Sequence, residues 1–115
     1  MPIENLIIFQ KVYDFLLWLE KIINSFAKNH KYTLGAQLEN ETLNLLKQII
    51  RTNIERDKKK GIEECLIYHE TIKVLIRLAN DFRGTGTFSL KQYEFAAVRL
   101  DEIGRLLNGW HAKFS

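Results

Sequence analysis

Cys65 and His69 lie four residues apart, and a thiol one helical turn from an imidazole is a pattern that can do chemistry. Paired, the two would form an activated nucleophile or half of a soft-metal site. Both, however, fall on one apolar stripe, Ile62, Cys65, His69, Ile72, Ile76 and Ala79, whose spacings alternate between three and four. On such a stripe a free cysteine packs as a small hydrophobe, and a histidine serves as a hydrogen-bonded core or interface residue. No third ligand stands at a suitable spacing, so no metal centre is expected. His111, near the chain end, is expected in solvent. The acids Glu63, Glu64 and Glu70 fall on the outer face of the same predicted helix, without the pocket that paired-carboxylate catalysis needs. Arg83-Gly84-Thr85-Gly86-Thr87 contains a G-x-G, but no strand precedes it and neither the later glycine nor a Walker lysine follows. It reads as a helix–helix turn. The residues point to no enzyme and no cofactor.

The elements that must position these groups are helices. With 115 residues the chain makes a single domain, 1–115, and 46% hydrophobic against 27% charged residues allows a buried core. One proline and six glycines are too few turn residues for a sandwich of many short strands. Helical periodicity predicts a first segment from Ile3 to Phe26 and a second from Thr33, read as its N-cap, to Lys58-Lys59-Lys60-Gly61. Cations followed by glycine suit a helix C-terminus. A third segment runs from Ile62 to Phe82. Ser89-Leu90-Lys91-Gln92 forms a capping box that opens the fourth, with Ala96, Leu100, Ile103, Leu107 and Trp110 as its seam. Asp101 and Arg105, four apart, are placed as an ion pair on the wet face. Short connections make successive helices antiparallel neighbours, and the predicted fold is an all-α, antiparallel up-down-up-down four-helix bundle.

The first helix is more apolar than a bundle position requires, since Leu6–Phe9 and Phe15–Leu19 cover well over one face. A bundle helix needs an apolar stripe roughly 100° wide, so part of this surface is expected to meet another subunit. Lys11, Asp14, Glu20 and Lys21 interrupt the run, which argues against a membrane span, and no cleavage-site pattern follows it. The expected location is cytoplasmic.

The formal charge is +3, from 17 Lys plus Arg and 14 Asp plus Glu. Its distribution says more than its total. Residues 28–60 hold eight basic and four acidic side chains, while residues 1–27 and 61–88 are each mildly acidic. Lys47 and Arg51 share a helix face, as phosphate contacts along a helix would, and repetition of such a patch in an oligomer would build a strong field.

Asn29-His30-Lys31-Tyr32-Thr33-Leu34-Gly35, followed by Leu38-Glu39-Asn40, resembles a motif at the start of the second helix in the Avd family, the accessory variability determinants of diversity-generating retroelements. Ser89-Leu90-Lys91-Gln92-Tyr93-Glu94 and Arg99-Leu100-Asp101-Glu102-Ile103-Gly104-Arg105-Leu106-Leu107-Asn108-Gly109-Trp110 resemble that family's second signature. Asn108 in the second signature and Gln37 beside the first motif depart from the family pattern, standing where a glycine and a basic residue are common. The resemblance implies a small four-helix bundle that assembles as a homopentamer and has no catalytic centre of its own. It also implies binding to the retroelement's reverse transcriptase and template RNA, or an RNA/DNA duplex, in support of mutagenic cDNA synthesis and retrohoming. A related class, the four-helix proteins encoded in intervening sequences of bacterial 23S ribosomal RNA genes, is the alternative.

Carried onto this chain, Tyr32, Thr33, Leu34 and Gly35 match the first motif, with Thr33 as cap and Gly35 packing near a subunit boundary. Tyr93, Asp101, Gly104 and Trp110 match the second, with Trp110 anchoring the C-terminus. Charge and expected exposure nominate Lys28, His30, Lys31, Lys47, Arg51, Arg56, Lys91, Arg99 and Arg105 for contact with RNA or polymerase.

Overall fold

The computed structural model describes residues 2–3 and 6–114. Their regular elements are α1 (Ile7–Asn24), α2 (Lys28–His30), a π turn (Lys31–Gly35), α3 (Ala36–Ile54), α4 (Lys58–Asp81) and α5 (Leu90–Ala112). No strand occurs among the described residues. Because α2, the π turn and α3 follow without a break, the chain forms four long rods. Each rod packs on two others: α3 on α1 and α4, and α5 on α4 and α1. Together they make a body of 44 × 20 × 19 Å.

Helical spacing of apolar residues accounts for this packing. α1 buries Ile8, Val12, Phe15, Leu19 and Ile23 at intervals of three and four. α3 contributes Leu38, Leu45, Leu46 and Ile49, and α5 contributes Ala96, Leu100, Ile103 and Leu107. Cys65, Ile72, Ile76 and Ala79 supply the face of α4. At one end Phe88 closes the core, its ring edge-on to Phe26 at 5.2 Å and stacked on Trp18 at 6.3 Å. Burying each such side chain stabilises the fold by about 1.5–3 kcal/mol.

Several boundaries differ from the sequence reading, for identifiable reasons. α1 begins at Ile7, after a Leu6 cap with no side-chain hydrogen bond, rather than at Ile3; Glu4 and Asn5 lie outside the described residues. Lys58-Lys59-Lys60 opens α4 instead of ending the helix before it. Asp57 is the N-cap, its carboxylate accepting from the Lys60 amide at 3.1 Å. Gly61 is consequently no stop signal. It is buried inside α4, where a Cβ would lie 2.4 Å from Thr52 Oγ1, so its small size sets the approach of α4 to α3. Thr33 is not a cap either: it sits within the π turn, and its hydroxyl donates back to the Asn29 carbonyl at 3.0 Å. Gly35 packs against α1 of its own chain, where a Cβ would meet Ile23 Cγ2 at 2.8 Å.

The 82–88 loop is a clasp. Gly84 and Gly86 take positive φ values of 94° and 98°, the left-handed region open to glycine. Gly86 thereby offers its carbonyl to the Ala27 amide at 2.7 Å, and Thr87 donates to the Ala79 carbonyl at 2.7 Å. The loop ties the end of α4 to the connection between α1 and α2.

Candidate nucleic-acid interface

The basic residues fall into separate groups. Lys28, His30 and Lys31 occupy α2 and the start of the π turn, beside the glycine clasp that carries Arg83. Lys91 lies in the first turn of α5, which follows the same clasp. His30 is not free for a ligand: its Nε2 is 3.0 Å from Thr85 Oγ1, and its ring lies 5.1 Å from that of Phe82. Lys31 extends over the Tyr32 ring, 5.7 Å from its centroid. Lys28, Arg83 and Lys91 are exposed and form no ion pair with any described residue. They are the uncompensated charges of this end.

A second group faces outward along α3. Lys47 and Arg51 are both exposed, and Arg51 is 4.0 Å from Glu55. Leu43, Ile50 and Ile54 share this face, Ile54 at 77% exposure, so the stripe is apolar as well as basic. Arg56 is exposed in the α3–α4 connection, where Lys58 turns its ammonium back to the Asn53 and Glu55 carbonyls. Arg99 and Arg105 are more committed. Arg99 pairs with Glu102 at 3.7 Å and covers the Phe95 ring, and Lys11 joins the same carboxylate at 3.5 Å. Arg105 pairs with Asp101 at 3.0 Å, as their spacing predicted.

The groups first read as chemistry are engaged in packing. Cys65 is buried beside Thr52 Oγ1, and burial pushes its thiol up to about 12, which removes its nucleophilicity at neutral pH. His69, 6% exposed, is bonded through Nε2 to the Leu100 carbonyl at 2.7 Å. Desolvation lowers its pKa from the ordinary value, the Leu100 bond opposing it only in part, so the ring is neutral at pH 7. His111 is not the solvated residue expected, because it reaches across from α5 to Glu63 Oε2 of α4 at 3.1 Å. Among the described residues no group of three or more His, Cys, Asp or Glu is placed to hold a metal ion. No described helix is long and apolar enough to cross a membrane.

Two features escaped the sequence reading. Between α1 and α3 lies a groove lined by Tyr13, Leu16, Leu17, Leu43 and Leu46. Glu20 and Glu39 also line it, and Glu20 is pushed up to about 7 by burial, by a hydrogen bond to Glu39 and by repulsion from it. Apolar residues beyond one face had signalled the groove's α1 wall, but nothing local joined carboxyls from two helices. The second feature is a cleft between α4 and α5, lined in part by His69, Tyr93 and Gly104.

The fold is a helical bundle with outward-facing basic groups, and its one thiol–imidazole pair is taken up in the core. The model of the bAvd-like family matches residues 6–114, and the chain belongs to that family. A search of curated proteins found no match.

Proposed function

We propose that this chain is a non-enzymatic accessory protein of a diversity-generating retroelement. In this reading it binds the reverse transcriptase and the template RNA, supporting mutagenic cDNA synthesis in the cytoplasm. The observation that carries the proposal is the family match over residues 6–114. Exposed cations at Lys28, Lys47, Arg56 and Lys91, which form no ion pair with another described residue, support it, because such cations release counterions when they meet phosphates. The polymerase chemistry would belong to the partner, and this chain would hold RNA near it.

Assembly completes the proposal. An up-down-up-down bundle repeated as a homopentamer would multiply a patch of modest charge into a multivalent surface. Tyr13 and Leu17 support self-association: they leave α1 with apolar groups at 44% and 53% exposure, next to the Leu43 wall of the groove, and Ile7 adds a third at 63% nearer the start of the helix.

Co-purification with a diversity-generating reverse transcriptase from the same genome tests the central reading, with sedimentation velocity giving the subunit count. Stable capture of the polymerase and an RNA affinity that falls steeply with salt are the expected results. Lys28→Glu with Lys91→Glu should weaken RNA binding across sequences alike, and Leu17→Glu with Leu43→Glu should reduce the assembled mass while leaving the helical content intact. A monomer that binds neither polymerase nor RNA refutes the proposal. Association with ribosomal RNA and no reverse transcriptase gene nearby would favour the intervening-sequence class.

A further inference from the structure

The cleft between α4 and α5, about 320 Å³, has the composition of a small-molecule site rather than a packing defect. Ile76, Ala97 and Leu100 give it apolar walls, Tyr93 an aromatic one, and His69 lies in its lining. The imidazole is in one defined tautomer. A carbonyl can only accept, so the 2.7 Å contact to Leu100 makes Nε2 the donor and leaves Nδ1 a bare acceptor. Nδ1 has no hydrogen-bond partner among the described residues, and His69 as a whole is 6% exposed. Gly104 is what permits this placement, since a Cβ there would lie 2.7 Å from His69 Cε1.

The cleft's contents constrain its ligand. The bare Nδ1 calls for a hydrogen-bond donor. The apolar walls and Tyr93 call for a flat, weakly polar body. Lys73 and Arg105, which outnumber the one lining carboxylate, Asp101, call for an anion. Their present partners, Glu70 at 3.5 Å and Asp101 at 3.0 Å, form exposed pairs that cost little to rearrange. Lining residues on α5 extend from Tyr93 to Asn108, about 20 Å along the helix, which is long enough for a base and its flanking phosphates.

We propose that this cleft holds one unstacked nucleotide of single-stranded RNA, its base edge donating to His69 Nδ1, its ring against Tyr93 and its phosphates at Lys73 and Arg105. Recognition of splayed bases by stacking and edge hydrogen bonds is the general mode for single-stranded RNA. The inference rests on the reading of this chain as an RNA binder, and it adds a base-contacting site to a surface otherwise selected by charge alone.

Nitrogen NMR of the His69 ring in the full-length protein tests it, with three probes: adenosine monophosphate, a single-stranded RNA octamer, and the same octamer in a blunt duplex. The octamer should move the Nδ1 resonance and the duplex should not; a response to the mononucleotide as strong as to the octamer would make the site one for free nucleotides and overturn the RNA assignment. Lys73→Ala and Arg105→Ala should each weaken octamer binding about threefold to tenfold, and Tyr93→Ala about tenfold. Asn108→Trp, which fills the cleft from an exposed position, should abolish the His69 response without unfolding the bundle. Tight octamer binding with a silent His69 resonance overturns this inference and leaves the proposed function standing. No octamer binding at all removes both. A His69 response to the polymerase but not to RNA assigns the cleft to a protein partner and overturns the proposal.

Discussion

Replacing Gly104 with alanine should destabilise the protein, although the same change improves the intrinsic propensity of the helix. α5 is a long regular helix, and exchanging glycine for alanine inside such a helix gains up to about 1 kcal/mol. Against this, the new methyl would stand 2.7 Å from His69 Cε1 and 3.1 Å from Nε2. The ring cannot swing away without stretching its 2.7 Å bond to the Leu100 carbonyl. Overpacking against a ring held in place costs about 1–3 kcal/mol, and a weakened buried hydrogen bond about 1 more. The net expectation is a loss of about 1–3 kcal/mol, or several degrees in melting temperature for a chain of this size. Gly109→Ala is the matched control. It lies in the same helix with nothing within 4 Å of its Cβ position, so it should stabilise by about 0.5–1 kcal/mol. Urea denaturation of the two variants decides the matter. Adding His69→Ala to Gly104→Ala should recover part of the loss, because the clash and the ring are then removed together. Equal stability of the two single variants would show that Gly104 is not shaped by His69, and would refute the packing argument for the cleft.

Ser89→Ala should cost about 1 kcal/mol by removing the acceptor of the 3.2 Å bond from the Gln92 amide, and thermal melting reads it directly. Cys65, buried and with its thiol pushed up to about 12, should resist maleimide in the native protein and react at the rate of unfolding; rapid labelling would contradict its placement. Glu20→Gln should change stability in one pH direction only. The folded carboxyl titrates at about 7 against an ordinary value of 4.5, so the folded state holds the proton more tightly and the native protein loses stability as pH rises through that interval. The variant lacks this loss and should match the native protein at pH 4 and exceed it at pH 8, by less than about 1 kcal/mol given the group's contact with solvent. A larger gain at pH 4 than at pH 8 would reverse the sign and refute the raised titration of Glu20.

What was legible in the sequence was what repeats or acts over a few residues. The stripe from Ile62 to Ala79, the capping box at Ser89 and the turn at Gly84 and Gly86 all appear where periodicity and turn chemistry place them. Lys58–Lys60 misled because lysines before a glycine suit a helix end as well as a beginning. Asp57 was the discriminating signal, and Gly61 proved to mark a close approach of helices. Thr33 was misread for a related reason. Its hydroxyl can serve an amide ahead or a carbonyl behind, and the π turn that continues into α3 selects the second.

The sequence by itself determined helices, their amphipathic faces and the position of its basic surplus, because these follow from local spacing and side-chain type. It also carried the two motifs by which the family was named. The tertiary structure decided which polar groups are spent and which are free. His30 is held by Thr85 and His111 by Glu63, through contacts separated by 55 and 48 residues. It also joined Glu20 to Glu39, and set His69 against Gly104 with one nitrogen bonded and the other bare. Such pairings depend on how the four rods pack against one another, and the periodicity of a single helix carries no record of that.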